Sequence, residues 1–372
     1  MAGNVAAIVL AAGFSERMGE FKPLLPLGEV SILERCVTLF RDADIDDVRV
    51  VTGHRGAELE PLLTRLGVRV VENPRYPEGM FSSVAAGVAT LGAEVDAFFV
   101  LPVDLPLVRS ATIRRLLRCY RQEDADVIYP RFLGERGHPP LIAARHAREI
   151  VAWQGEGGLK AALGQWEPAA LDLDVADGNI LLDMDTLDDY RLLRERGERP
   201  DIPDGDECLA LMEKVLHVGE GIIRHGESVA RVAARLGREL NSAGCCLDIP
   251  LLWAAGLLHD IAKGETDHAR AGASILREHG FGAVAGAVAT HMDITVSEGE
   301  EISAGEVIYL ADKLFRGEQR ISLAERFRTK MDRYADDPVI LGNISLRLKT
   351  AQAIQKRIES RLVRTLEEVL SR

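Results

Sequence analysis

The sequence predicts an α/β domain, a mostly parallel sheet covered by helices on both faces, followed by an all-α domain. Three observations carry this reading. Between residue 4 and about residue 196, short β-rich runs alternate with amphipathic stretches, the order that builds a parallel sheet. At residues 194–207 the string RERGERPDIPDGDE carries charge, two prolines and two glycines with almost no apolar residue, as a linker does. Beyond it strand patterns fade and apolar residues recur at helical spacing. The expected domains are therefore 1–196 and 207–372, joined by a linker at 197–206.

Length and composition agree with two domains. At roughly 150 residues per domain, a chain of 372 residues with 47% apolar content can bury two cores. The net charge of −13 leaves no overall basic field for nucleic acid or an anionic membrane, so small anionic ligands must meet local positive charge. Uncharged stretches such as 280–292 fall short of the ~20 residues that cross a bilayer, and no basic n-region opens the chain. A cytoplasmic protein without membrane or nucleic-acid partners is expected. The five cysteines, Cys36, Cys119, Cys208, Cys245 and Cys246, are odd in number and lack CxxC spacing, which argues against a disulfide scaffold or thiolate zinc.

In chain order, residues 5–10, 48–52, 68–72, 97–101 and 126–129 read as strands. The first helix is announced by Ser31 and Glu34, a capping box, followed by Ile32, Leu33, Val37, Leu39 and Phe40 at helical spacing. In the second half, residues 209–240, 249–262, 269–279, 304–314 and 339–370 read as helices.

The first strand runs into LAAGFSERMGEFKPLLPLG (residues 10–28), where Gly13 and Gly19 frame a loop that ends in Lys22. Glycines let backbone N–H groups approach phosphate oxygens, and Arg17 and Lys22 offset nucleotide charge. The loop is neither a Walker A motif nor a GxGxxG turn. Taken alone, it fits a phosphate cradle and an ordinary strand-to-helix turn equally. Asp104 ends an apolar strand (FFVLPVD), where open α/β sheets bind ligands and a carboxylate can hold Mg²⁺; the bland alternative is a helix N-cap.

The string resembles the LAAGxSxRMGxxKxLLP signature of the MobA-like nucleotidyltransferases, and among them the molybdenum cofactor cytidylyltransferases. GMFSSV (79–84), LPVDLPLV (101–108), RGHPPLI (136–142) and LLDMDTLDDY (181–190) extend the resemblance in order. It implies a Rossmann-like nucleotidyltransferase fold and Mg²⁺-dependent attack by a substrate phosphate on the α-phosphorus of a nucleotide, with release of pyrophosphate. Leu10, Ala11, Ala12, Gly13, Lys22, Gly79, Ser82, Ser83 and Asp104 then bind the nucleotide. Lys22, Arg17 and Asp104 are catalytic, and Asp183 or Asp185 joins Asp104 on Mg²⁺. Ala12, at the third position of LAAG, and the His138 region favour CTP over GTP. The implied acceptor is a molybdopterin-type phosphate, with a molybdenum-dependent oxidoreductase as a further partner. The family's GDxGAR element stands here as Gly155-Glu156-Gly157-Gly158-Leu159-Lys160, and this departure leaves a sugar or polyol phosphate open as acceptor.

Six of the nine histidines, His217, His225, His259, His268, His279 and His291, follow residue 216. The run LLWAAGLLHDIAKGE (251–265) delivers adjacent His259 and Asp260 at the end of an apolar helix, suiting a buried metal. This resembles the HD phosphohydrolase superfamily, which implies His225, His259, Asp260 and Asp312 as metal ligands. His268 and His291 stand where binuclear HD enzymes place extra ligands. Two metals bridged by Asp260, or one metal with those histidines lining the pocket, are both implied, the metal being Fe, Mn or Zn. Such a centre hydrolyses a phosphate ester or anhydride, with Asp260 and Lys263 in the catalytic set. Lys263, Lys313 and Arg316 are candidates to hold phosphate, although the last two also fit solvated surface charges. His217 and His279 fit no ligand position and are expected on helix surfaces, and the basic run 347–364 reads as a solvated face. The expectation is a bifunctional enzyme, the alternative a transferase with a nucleotide-sensing HD domain.

Overall fold

The structure, a computed structural model, describes residues 4–14, 18–296 and 301–371. The chain forms two compact units, Met1–Pro200 and Asp201–Arg372.

The first unit opens on β1 (Val5–Ala11), an apolar run with six of its seven residues buried, as a strand covered on both faces requires. A small ladder of β2 (Pro26–Leu27) and β3 (Val30–Ser31) leads into α1 (Ile32–Arg41). Ser31 accepts the Glu34 N–H as its cap, but the Glu34 carboxylate is drawn into a fork with Arg65 at 2.7 and 2.9 Å. The expected capping box is thus half made. β4 (Asp47–Thr52), α2 (Gly56–Leu66), β5 (Arg69–Glu72), α3 (Met80–Val88), β6 (Ala97–Pro102) and α4 (Ser110–Gln122) continue the alternation. Then come β7 (Val127–Phe132), β8 (Glu135–Arg136), β9 (Leu141–Ala143), α5 (Ala147–Ala152), α6 (Gly158–Leu163), β10 (Ala170–Asp174) and α7 (Leu187–Gly197).

The sheet runs β10-β7-β9-β6-β1-β4-β5, with β8 added to β7. Only β9 along that path is antiparallel to its neighbours, so the sheet is mixed but mostly parallel. Leu10 pairs with both Val51 and Pro102, which levels the carboxyl ends of β1, β4 and β6. The Val103 N–H then reaches the Leu10 carbonyl at 3.1 Å, and the His54 N–H reaches that of Ala12 at 3.1 Å. The glycine-rich loop and Asp104 therefore open on one edge of the sheet. α3 lies directly on β1, because a Cβ at Gly87 would stand 2.5 Å from Ile8.

The second unit is helical. α8 (Gly205–Leu209) runs through a π-helical turn, and α9 (Glu220–Ser242), α10 (Ile249–Leu258), α11 (His268–Glu278), α12 (Gly282–Ala289) and α13 (Ala304–Lys313) follow. A small β11 (Phe315–Arg316) and β12 (Gln319–Arg320) ladder precedes α14 (Leu323–Arg333), α15 (Pro338–Leu362) and α16 (Leu366–Leu370). Three expected helices are corrected. The 209–240 stretch is broken by His217 at φ 52°, and the 339–370 stretch by Val363 at φ 51°, left-handed conformations that helical spacing on either side conceals. The 249–262 helix ends at Leu258, leaving His259 and Asp260 in the turn beyond it.

α9 and α10 cross at close range. A Cβ at Gly226 would lie 2.3 Å from the Leu257 carbonyl, and one at Gly256 would lie 2.6 Å from the Ala230 Cα. Among the described residues no helix is long and apolar enough to cross a membrane. All five cysteines are free, with Cys36 and Cys208 buried.

Candidate functional site

In the first unit, a cavity of about 510 Å³ lies where the strands end. Leu10, Ala11, Ala12 and Gly13 line it from the loop after β1, Gly79 and Ser83 from the start of α3, and Lys22 and Asp104 from the far wall. Gly79 holds φ 103°, a conformation that glycine adopts without strain, and so turns the chain into α3. Ser82 is buried but does not line the cavity. Its hydroxyl sits 2.8 Å from the carbonyls of Arg75 and Gly79, while the Asn73 amide donates to both Ser82 and Ser83 at 2.9 Å. Ser82 therefore shapes the loop. Arg17 lies outside the described residues.

The buried Lys22 ammonium stands 3.2 Å from Asp185 Oδ1 and 3.7 Å from Asp104 Oδ2. The DMD turn is held there from both sides. The Met184 N–H donates to the Asp104 carbonyl at 3.0 Å, and the Asp185 N–H donates to Asp189, the partner of Thr186 in the capping box of α7. Burial pushes the Asp104 carboxyl above the ordinary range; Lys22 opposes this, while Asp183 and Asp185 push the same way. One cation facing clustered carboxylates suits a site that gains from a hard dication. Asp185, half-buried and beside Lys22, is better placed than the exposed Asp183. Phe14, Tyr76 and Met80 also line the cavity; Phe14 and Met80 lie inside the 10–28 and 79–84 motifs without being singled out there, and Tyr76 lies in none.

In the second unit, the crossing of α9 and α10 sets His225 against His259. His225 Nε2 lies 3.3 Å from Asp312 Oδ1 and 3.8 Å from Asp260 Oδ2, and His259 Nε2 lies 3.7 and 3.6 Å from the same atoms. On the other oxygen of Asp260, His268 Nε2 stands at 3.4 Å and His291 Nε2 at 3.7 Å. All six expected residues are brought together. Five of them form two ligand groups, His225-His259-Asp260 and Asp260-His268-His291, that share Asp260, and Asp312 stands against the two histidines of the first.

The rings are oriented from behind. The Nδ1–H groups of His225, His259 and His291 donate to the carbonyls of Gly317, Gly256 and Val288 at 2.7, 2.8 and 2.7 Å. Each Nε2 thus turns its lone pair inward, as metal-ligating histidines require. His259 Nε2 is buried without a hydrogen-bond partner, and His268 and His291 bring their Nε2 atoms within 3.2 Å of each other. Ring nitrogens gathered around two buried carboxylates, one nitrogen without a hydrogen-bond partner, fit a metal.

Burial raises the cost of ionising Asp260, but the His268 and His291 rings against it outweigh this and hold the carboxyl far below its usual range. Asp312 is likewise held well down against burial, by Lys313 and by His225 and His259. Burial alone would lower His259, yet the negative charge of Asp312 and Asp260 beside it keeps it above its ordinary value. Lys263, half-exposed, meets Asp260 Oδ2 at 2.6 Å. Lys313 is not a solvated charge: it is buried and donates to the His291 carbonyl at 2.9 Å and to Asp312 at 2.7 Å. Arg316 turns to Thr329. His279 is buried, not on a surface, whereas His217 is exposed. Among the described residues, half of the basic run's six cations are in ion pairs, Arg347 with Asp293, Arg357 with Glu306 and Arg364 with Glu239. Sequence reading missed Arg326, which approaches Asp312 Oδ1 to 3.8 Å from α14.

Residues 7–170 match the family described as MobA-like NTP transferase domain, and residues 222–335 match the HD domain. The molybdenum cofactor cytidylyltransferase of Escherichia coli is 28% identical over 195 residues, covering 52% of this chain and 96% of that one. The probable molybdenum cofactor guanylyltransferase of Bacillus cytotoxicus is 30% identical over 145 residues, 38% of this chain and 69% of that one. The bifunctional IPC transferase and DIPP synthase of Rubrobacter xylanophilus is 42% identical over 122 residues, 31% of this chain and only 27% of that relative's length.

Proposed function

Because the chain belongs to the MobA-like NTP transferases through residues 7–170 and carries an HD domain at residues 222–335, we propose that it is bifunctional. The first unit transfers a cytidylyl group from CTP to the phosphate of a molybdopterin-type acceptor, and the second is a metal-dependent phosphohydrolase.

Lys22 set between Asp104 and Asp185 at the cavity edge carries the first half. An acceptor phosphate oxygen bonds to the α-phosphorus of CTP as the bond to the β,γ-phosphates breaks, and pyrophosphate leaves. Lys22 neutralises charge that grows on the transferred and departing groups. Mg²⁺, when bound by Asp104 and Asp185, supplies further charge neutralisation. The loop from Leu10 to Gly13 and the start of α3 position the nucleotide. Alanine at position 12 and the similarity to the Escherichia coli cytidylyltransferase support CTP and the pterin acceptor. The 42% identity to the IPC transferase supports a second reading with a sugar or polyol phosphate as acceptor.

The second half rests on Asp260 being shared by two ligand groups. Bound metals activate water and neutralise phosphate charge. The chain's own part is to hold four imidazoles inward and to present Lys263 beside Asp260.

Pyrophosphate release by the purified chain with CTP or GTP, across molybdopterin and sugar or polyol phosphates, tests the first activity. CTP with molybdopterin should respond and Asp104→Ala should abolish the response. Release only with a sugar or polyol phosphate would overturn the acceptor assignment. Elemental analysis tests the second: transition metal should be present and fall in His259→Ala and Asp260→Ala. No uptake of Fe, Mn or Zn by the wild-type chain would overturn it.

A further inference from the structure

Around the second centre, positive charge exceeds what the nearby carboxylates neutralise. Arg326 on α14 keeps only 18% of its side chain exposed, and its Nε is buried with no hydrogen-bond partner. Its nearest anion is Asp312 Oδ1 at 3.8 Å, a carboxylate that already receives Lys313 at 2.7 Å and His225 at 3.3 Å. One helical turn further on the same helix stands Lys330, half-buried, with no ion pair or side-chain hydrogen bond among the described residues. Burial, then the neighbouring Arg326 and Lys313, push its ammonium down to about 8 against the pull of Asp312. Arg347 nearby is committed to a fork with Asp293 at 2.7 and 2.8 Å.

Three cations, Lys313, Arg326 and Lys330, therefore gather on the Asp312 side and share one carboxylate. If Asp312 ligates a metal, its charge is spent there, and Arg326 has no other carboxylate within ion-pair distance among the described residues. A largely buried guanidinium with an unpartnered Nε, one helical turn from an ammonium, suits phosphate oxygens. The pair is distinct from Lys263, which stands against Asp260.

We propose that Arg326 and Lys330 form an anion-binding pair that holds the second phosphate of a substrate carrying two linked phosphoryl groups, so that the centre selects phosphoanhydrides over monoesters. The proposal rests on the reading of the second unit as a metal-dependent phosphohydrolase. One phosphoryl group sits at the metal centre and its neighbour on the α14 pair. A monoester reaches the first position alone.

The test is calorimetric titration of the Mn²⁺-loaded full chain with methylenediphosphonate and with methylphosphonate, beside elemental analysis of each sample. The wild-type chain should bind the bisphosphonate more than about tenfold tighter than the monophosphonate. Arg326→Ala and Lys330→Met should each narrow that ratio, and the double variant should bring it to about unity, with metal content unchanged. Arg326→Lys, which keeps the charge and the fold, should retain an intermediate preference. An unchanged ratio in the variants overturns the proposal. So does loss of metal in Arg326→Ala and Arg326→Lys alike, which would make Arg326 a support for Asp312. A wild-type chain that takes up no metal overturns the phosphohydrolase reading itself, whereas a metal-loaded wild type with no preference overturns only the assignment of the pair.

Discussion

Replacing His268 with alanine should remove one metal equivalent from the second unit and leave the other in place. Two ligand atoms held about 2.1 Å from one ion lie about 3.0 Å apart at a right angle and about 3.4 Å apart at the tetrahedral angle. Around Asp260 Oδ2 and Asp312 Oδ1, the His225 and His259 nitrogens stand at 3.3 to 3.8 Å. Around Asp260 Oδ1, those of His268 and His291 stand at 3.4 and 3.7 Å. Each shell needs to contract by only a few tenths of an ångström to close on an ion. On the proposed reading with two metals, the first shell has four protein ligands, His225, His259, Asp260 and Asp312, and the second three, His268, His291 and the shared Asp260. His268→Ala leaves the second shell with two ligands and the first untouched, so metal content should fall from about two equivalents to about one. Asp260→Ala removes a ligand from both. The second metal should be lost, and the first held by two imidazoles and one carboxylate should weaken by more than the 10–100-fold typical of outer-shell changes. Elemental analysis after dialysis, with competition against a chelating dye, reads both quantities. His268→Ala binding two equivalents at wild-type affinity, or none, would refute the two-shell geometry.

Other expectations follow from the same geometry. Burial holds Asp104 above the carboxylate range, so ionising it at neutral pH costs the Mg²⁺-free fold stability. Asp104→Asn should raise the calorimetric melting temperature by an amount equivalent to about 0.5–2 kcal/mol while abolishing nucleotidyl transfer; a lower melting temperature would contradict this. His259 is kept above its ordinary value by Asp312, so it favours folding while protonated and loses that contribution as pH rises through its folded pKa. Since a metal takes the neutral ring, uptake should release protons and strengthen as pH rises from 6 to 8. Titrations in two buffers of different ionisation enthalpy should differ, and identical heats would sink the idea. Gly226→Ala places a Cβ 2.3 Å from the Leu257 carbonyl. It should cost about 1–3 kcal/mol and, by moving His225 off His259, remove metal from the four-ligand shell. Unchanged metal content would show that the α9–α10 crossing does not set the site.

The parts of the fold visible in the sequence are those where burial dictates residue type. β1 and β6 are unbroken apolar runs because helices cover both faces. β10, ALDLD, carries aspartates at alternate positions and none of its residues is fully buried, so its place beside β7 comes from the ladder and not from its own pattern. β9 is three residues long and becomes a strand only between β6 and β7. The break at His217 is invisible to periodicity because one residue with positive φ leaves the flanking apolar spacing intact. At the second centre, histidines and aspartates in an apolar setting are conspicuous, and all six converge. Arg326 and Lys330 lie in LAERFRTKMDR, a string that reads as a charged, solvated helix. Only packing in three dimensions brings Arg326 to within 3.8 Å of Asp312 and half-buries Lys330. Lys313 is the same case, a charge that reads as surface and is buried.

The two units tune their carboxylates in opposite directions, and the difference bears on how each holds a metal. Asp104 and Asp185 keep 23% and 36% of their side chains exposed and have Lys22 between them, while Asp104 sits above its usual range. Oxygen donors of that kind hold a hard dication weakly until phosphate oxygens complete its shell, which suits Mg²⁺ arriving with a nucleotide. Asp260 and Asp312 are each 8% exposed, sit far below their usual range, and face imidazoles whose outer nitrogens are pinned to carbonyls. On the proposed reading, the carboxylates there are ionised and the rings oriented ahead of a metal, and nitrogen donors favour a transition metal. On the proposed reading, the first unit's metal comes and goes with substrate, whereas the second's is part of the fold. The helices that carry its ligands otherwise hold buried carboxylates against inward-facing imidazoles with no ion to join them.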